Sequence, residues 1–428
     1  MIEIRKTTLQ AERAPLLAPF GFKGGFVDEL WQTRVALTDE AGRVGVGLSV
    51  QSVLWSDPQV FEAWGHERGN AFMRDIAAHA LSAVEGARYD TPLELLSQLL
   101  APARAYADEQ WDGQPLRGTF ALNALVAADH AAWALLARRT GAPFVELLPP
   151  TYRSILDRRH DTLASSPVVS YGMGDADIVA LLDEGYFVLK IKLGSDPERD
   201  GDPEKMIAWD IERLRAVHRI SGGRETPSTT NGRIAYYLDI NGRYGTKELL
   251  WRLVDAADRM GALDRVMLIE EPFPEDVRDS VADIPARVVA DESVHGEEDA
   301  LERIRLGYGA FALKPVAKTM SLSLKVAKLA VERGIPCFCA DLTGSPVMVD
   351  WNKNLAALLP PPPGLAMGMG LIETNGKQNY RDWEAMKRAH PTPDGGWIEE
   401  KRGIFRLGPD FYEGSGGVFR LGDVRSVP

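Results

Sequence analysis

A parallel α/β barrel of the TIM type, preceded by an α+β unit, is the fold this sequence predicts, and three observations predict it. From Pro167 onward short apolar runs alternate with amphipathic helical stretches, a rhythm that specifies parallel strands with right-handed crossovers. Eight such runs can be counted, the number that closes into a barrel, with a doubly wound open sheet as the alternative. Ahead of them lie β-branched strands joined by a turn and then a long helical region, the pattern of a separate unit.

In chain order, residues 2–9, 27–38 and 44–50 read as strands of an antiparallel sheet, the last two joined by the turn-like DEAGR at 39–43. Residues 57–141 turn helical, most clearly at 122–138, where Leu125, Ala128, Ala132 and Leu136 recur at helical spacing. Pro149 and Pro150 close that region. The eight later strands are read at 168–171, 187–193, 235–240, 266–270, 287–290, 310–313, 336–340 and about 365–372. Helices are expected at 176–184, 203–218, 247–260, 297–305 and 322–333. Residues 221–232, SGGRETPSTTNG, read as an inserted loop, and beyond Glu373 only 383–388 has helical character.

Composition narrows the function classes. The 428 residues carry 61 acidic and 49 basic side chains, a formal charge of −12, with no basic stripe for nucleic acid, so any anion site must be built locally. Cys337 and Cys339, one residue apart, cannot supply a disulfide framework or a zinc site, and a reducing, cytoplasmic compartment is expected. The start, MIEIRKTTLQAERAP, has charges where a signal peptide needs an apolar core. The longest apolar stretch, 120–137, is interrupted by Asn123, Asp129 and His130, so no membrane segment is expected.

The chemistry lies where charges meet strand ends. In VLKIKLG, alternation places Val188, Lys190 and Lys192 on one face, and lysines directed into a barrel mouth are costly unless used. Asp239 with Asn241, Glu270 with Glu271, Asp291 with Glu292, and Lys314 end the next four strands. Singly, each is explained as a helix cap or a surface ion pair. Together their spacing follows one β/α unit per step, with the 221–232 insertion accounting for the longer interval from Lys192 to Asp239. Three carboxylates without His or Cys make a hard oxygen site suited to Mg²⁺. Lysines crowded beside one another and a divalent cation are expected to lose affinity for their protons and to serve as bases near neutral pH.

KIK, DIN, IEEP, ADES and LKP, in this order and spacing, resemble the enolase superfamily, specifically its muconate lactonizing enzyme subgroup (mandelate racemase/muconate lactonizing enzyme-like). The resemblance implies a modified (β/α)7β barrel carrying the site over 146–375, an α+β capping domain over 1–145, and a segment 376–428 returning to the cap. It also implies that Asp239, Glu270 and Asp291 bind Mg²⁺, that Lys192 and Lys314 face each other across a small-molecule carboxylate as acid and base, and that Lys190 assists electrostatically. Asn241, Glu271, Glu292 and Glu373 would support the metal ligands or touch substrate. Cap loops at 20–25 and 52–58 would close the site, with Phe20, Phe22 and Trp55 excluding water and Gly21, Gly24 and Gly25 permitting movement; the alternative is that these aromatics merely anchor the loops. A homo-oligomer is expected.

The chemistry so implied is abstraction of the proton α to a carboxylate with enolate stabilisation, in a racemase, epimerase or cycloisomerase. An acid-sugar dehydratase is the enzyme alternative, although its usual His is missing: none of the seven histidines falls at 341–345, where the seventh strand ends. His295 reads as a surface-loop residue. A Schiff-base aldolase or lyase using Lys190, Lys192 or Lys314 and a non-catalytic barrel are the alternatives of other classes. After Lys314 the chain reads PVAKTMS, where many relatives place Gly-Gly.

Overall fold

Two sheets, one of four strands and one of ten, organise the chain in the computed structural model, which describes residues 1–22, 25–366 and 368–423. The first is antiparallel in the order β3-β2-β1-β4, with β1 (Ile2–Phe22), β2 (Gly25–Asp39), β3 (Val44–Gln51) and β4 (Arg88–Tyr89). The hairpin β1/β2 runs well beyond the strands anticipated at 2–9 and 27–38. Pairing lapses between Pro15 and Phe20, then resumes to Phe22↔Gly25, because β2 holds in register a polar, proline-containing stretch with little strand propensity of its own. The anticipated cap loop at 20–25 is therefore a hairpin tip; Lys23 and Gly24 lie outside the described residues. The 52–58 loop is also different, containing a helical turn, Val53–Ser56, followed at once by the helix Pro58–Ala83.

The helix Gly118–Thr140 packs across this sheet, where a Cβ on Gly45 or Gly47 would stand 2.3 Å and 2.1 Å from its backbone carbonyls. By length and composition it could cross a membrane, but 94% of its most apolar window is buried inside the protein. The polar residues that interrupt it tie the helix to the first sheet through Asn123 and to barrel helices through His130 and Asp129. Asn123 accepts from Ser52 N and donates to Val50 O, His130 stacks on Trp351 at 4.2 Å, and Asp129 accepts from Ser321 N at the start of the barrel helix Met320–Val331. Burial pushes the Asp129 carboxyl up to about 7, against the Ser321 hydrogen bonds. A carboxyl raised in the folded state contributes stability at low pH that is lost as pH rises through that value. Relative to Asp129→Asn, the wild type should therefore lose about 1.4 kcal/mol per pH unit between roughly pH 4 and 7, measurable by urea unfolding of both proteins.

The ten-stranded sheet runs β14-β5-β13-β12-β11-β10-β9-β8-β7-β6. Its strands are β5 (Thr162–Ser166), β6 (Val168–Val169), β7 (Val188–Lys192), β8 (Ala235–Asp239), β9 (Val266–Glu270), β10 (Val288–Ala290), β11 (Ala310–Leu313), β12 (Cys337–Cys339), β13 (Met369–Glu373) and β14 (Ile404–Arg406). Only Pro167 separates β5, paired to β13, from β6, paired to β7, and its carbonyl accepts from Lys190 N. Counted as one strand they close a ring of eight parallel strands, which removes the open-sheet alternative. β14 adds to β5 from outside, antiparallel.

Three departures from expectation follow local chemistry. The first strand starts at Thr162 because β13 and β14 both pair there, and the last is displaced to Met369–Glu373. Residues 271–287, where no helix is expected, form none, their three prolines Pro272, Pro274 and Pro285 removing the donors a helix needs. An unanticipated helix, Pro346–Ala356, fills the last crossover. The 221–232 segment leads into the N-terminal end of β8, where Thr229 bridges to Leu365, so it lies at the opposite end of the barrel from the charged strand ends. Past β13 the chain touches both sheets: Tyr380 bridges to Leu16 of β1, and β14 pairs with β5.

Candidate active site

Strand register assembles the site. Lys192 lies opposite Asp239 and Asp239 opposite Glu270, so three successive strand ends present charge at one height. Lys190, one pleat lower and fully buried, has its Nζ 2.9 Å from Asp239, 3.1 Å from Glu270 and 2.7 Å from Glu373. Lys192 Nζ donates to Asp239 Oδ2 and Asn241 Oδ1, each at 2.8 Å. Across the ring, Lys314 Nζ is 2.9 Å from Asp291 Oδ2 and donates to Asp341 O.

These side chains floor a small cavity of about 40 Å³ roofed by the hairpin tip and the helical turn Val53–Ser56. Lys190, Lys192, Asn241, Lys314 and Glu373 line it from the barrel, and Phe20, Phe22 and Trp55 from above. Each lysine is faced by a ring: Phe22 at 5.5 Å from Lys192, Trp55 at 5.1 Å from Lys314, and Tyr237 at 4.6 Å from Lys190.

Beneath the cavity lie the other expected acids. Glu270, Asp291 and Glu292 bring carboxylate oxygens within 4.8 Å of one another. Glu270 Oε2 and Glu292 Oε2 are buried with no hydrogen-bond partner among the described residues, a donor set that fits a hard divalent cation. Asp239 stands apart from that cluster, its Oδ2 held by Lys190 and Lys192. Glu271 Oε2 accepts from Asp291 N and Ser293 Oγ, fixing the turn that carries Asp291, while Asn241 Nδ2 donates to Glu292. Asn241, Glu271 and Thr343, just past strand ends, and Thr319, between the helical turn Pro315–Lys318 and the next helix, have φ of 51°, 39°, 53° and 74°, positive values that cost about 1–3 kcal/mol each.

The protein's own carboxylates act on Lys190 and Lys314 in the direction opposite to that expected of a neighbouring cation. Burial opposes their charge, but Asp239, Glu270 and Glu373 hold Lys190 well above its ordinary value, and Asp291 does the same for Lys314. Burial pushes Glu270 up, with Asp291 and Glu373 adding to it, and pushes Glu271 up, with Glu292 adding to it. The lysines hold Asp239 and Asp291 down despite burial. Burial and the charges packed around each group set these directions, and a divalent cation would offset the carboxylates' mutual repulsion.

Three neighbours were not anticipated. Lys318, one helical turn after Lys314, donates to Asp291 O at 2.6 Å and lies 3.3 Å from Asp291 Oδ1; the spacing K-P-V-A-K was the available signal. Asp341, just past β12, accepts from Leu342 N, Gly344 N and Asn375 N, and burial and Glu373 push it up to about 6. Asn375 lines the cavity near the end of β13. His295 is half-buried between Glu275 and Asp299 rather than a free surface residue.

Comparison with known proteins agrees with this architecture. Residues 175–367 match the enolase C-terminal domain-like family. Muconate cycloisomerase 1 of Rhodococcus opacus is 27% identical over 271 residues, a match spanning 59% of this chain and 61% of that protein's length. The L-Ala-D/L-Glu epimerase of Bacillus subtilis superposes with a TM-score of 0.67 at 18% identity, over 95% of this chain and 96% of its own. A dipeptide epimerase of Enterococcus faecalis V583, solved with Mg and the dipeptide L-Leu-L-Tyr, superposes with a TM-score of 0.64 at 17% identity, over 95% and 97%. The barrel thus matches the enolase C-terminal domain-like family over residues 175–367, and cap and barrel together share the fold of these structures.

Proposed function

We propose that the protein is a Mg²⁺-dependent isomerase, a racemase, epimerase or cycloisomerase, that removes the proton α to the carboxylate of a small acid. The observation that carries this reading is the placement of Lys192 and Lys314. They end β7 and β11, four strands apart in a ring of eight and so on opposite walls, yet they line one cavity. A carbon held between them meets a proton carrier on each face, the arrangement that inversion of configuration requires.

Asp239, Glu270 and Asp291 would hold the metal, with Glu292 beside them. The bound cation would supply positive charge to the enolate oxygen as the α-proton leaves. This chain's own residues do the rest. Lys192 and Lys314 move protons at Nζ, one taking the α-proton and the other delivering one to the opposite face. Lys190, held between Asp239, Glu270 and Glu373, adds fixed positive charge at the floor. Phe22 and Trp55 close over the two Nζ atoms and exclude water. Glu373, itself an anion, meets a substrate carboxylate only with Lys190 between them.

Proton NMR in D₂O tests the reading. Carboxylates such as N-acyl amino acids, dipeptides and sugar acids should include at least one that exchanges its α-proton with Mg²⁺ and not with EDTA. Exchange that persists in Lys192→Ala/Lys314→Ala would remove the assigned bases. A Schiff-base lysine would instead be trapped by borohydride, an outcome the charged, ion-paired lysines argue against.

A further inference from the structure

The turn that carries Asp291 is gripped by a lysine to which the proposed reaction gives no part. Resting on that reading of the site, we infer that Lys318 is a positioning residue: a fixed cation that fastens this turn, steadies the site before a metal arrives, and holds its affinity for Mg²⁺ down.

The backbone delivers Lys318 to its place. Pro315 opens the helical turn Pro315–Lys318, and Lys314 O accepts from both Ala317 N and Lys318 N, so the second lysine follows the first by one tight turn. Its Nζ donates to Asp291 O at 2.6 Å and to Val294 O at 3.2 Å, and stands 3.3 Å from Asp291 Oδ1, in a residue only 4% exposed. The two lysines divide Asp291 between them, Lys314 at Oδ2 and Lys318 at Oδ1. Lys314 also lines the cavity; Lys318 is not among its described lining residues, and so does not meet substrate as an acid or base.

What Lys318 adds is charge. Burial pushes the Asp291 carboxyl up, yet Lys314 and then Lys318 hold it below the usual carboxylate range. The turn has other fastenings: Glu271 Oε2 accepts from Asp291 N and Ser293 Oγ, and Asp291 O accepts from Val294 N. Removing the Lys318 charge therefore leaves the donor set of Glu270, Asp291 and Glu292 in place and has two effects that work together. Without metal, a buried carboxylate loses a counter-charge, which weakens the fold. With metal, a buried ammonium beside Asp291 no longer repels the incoming cation, which tightens binding. Both enlarge the stability that Mg²⁺ confers.

Lys318→Gln and Lys318→Arg separate charge from hydrogen bonding, because the amide can still donate to the two carbonyls and the guanidinium keeps the charge. Mg²⁺ alone is the probe, its dissociation constant read by titration calorimetry, with urea unfolding followed in EDTA and in Mg²⁺. Lys318→Gln should bind Mg²⁺ about tenfold more tightly than the wild type and unfold at lower urea in EDTA, with Mg²⁺ restoring much of the difference. Lys318→Arg should stay within about threefold of the wild-type affinity, its charge being unchanged. Affinity that is unchanged or weaker in Lys318→Gln, an equal shift in both variants, or a Lys318→Gln protein that fails to fold even in Mg²⁺ overturns this role and leaves the α-proton chemistry standing. A wild type that binds no Mg²⁺ overturns the metal-dependent reading and this role with it.

Discussion

Replacing Lys192 by Met should stop inversion while leaving α-proton exchange on one substrate enantiomer, and Lys314→Met should leave it on the other. The lost steps should fall by about 10²–10⁴-fold, the usual contribution of a positioned acid or base. The reciprocity follows from geometry: the two Nζ atoms reach the cavity from opposite walls, so each remaining lysine sees only one face of the carbon. Both variants should fold. Asp239 keeps Lys190 at 2.9 Å when Lys192 is gone, and Asp291 keeps Lys318 at 3.3 Å when Lys314 is gone. Chiral chromatography beside NMR exchange measures both quantities. Loss of exchange on the same enantiomer in both variants would show one base acting alone.

Glu270→Gln should separate metal binding from catalysis. Wild-type protein should gain about 2.7 kcal/mol of unfolding free energy at Mg²⁺ one hundred times its dissociation constant. The variant should gain far less, because it loses a carboxylate from the cluster of Glu270, Asp291 and Glu292. Without metal the order should reverse. Burial and the neighbouring Asp291 and Glu373 raise Glu270 in the folded state, so ionised Glu270 weakens the metal-free fold above the ordinary carboxylate range. The neutral amide should therefore be the more stable protein at pH 8, as denaturant unfolding with EDTA would measure. A variant that keeps the full Mg²⁺ increment would place the ion elsewhere.

The sequence was most legible where two periodicities coincided. Alternation in VLKIKLG gave the face of Lys190 and Lys192, and the β/α interval gave the strand ends carrying Asp239, Glu270, Asp291 and Lys314; these ends surround one mouth. Helices 297–305 and 383–388 have the predicted bounds. What could not be read depends on partners distant in sequence. β5 is a strand because β13 and β14 pair with it, and residues 10–22 extend because β2 runs beside them. The full charge environment of Lys190 could not be read either, because it depends on Glu373, which reaches it from a strand 183 residues away in sequence.

The seam on which the barrel closes has a consequence for synthesis. β5 leaves the ribosome early, but its two neighbours are β13 and β14, among the last strands made. At about 5–20 residues per second, the nascent chain holds an unpaired parallel edge for ten seconds or more before anything can cover it. A premature stop between residues 376 and 403 would keep every lysine and carboxylate of the mouth and all eight strands of the ring, but leave the outer edge of β5 without β14. The early helices would give that edge temporary shelter, and chaperone demand should peak in this interval rather than after release.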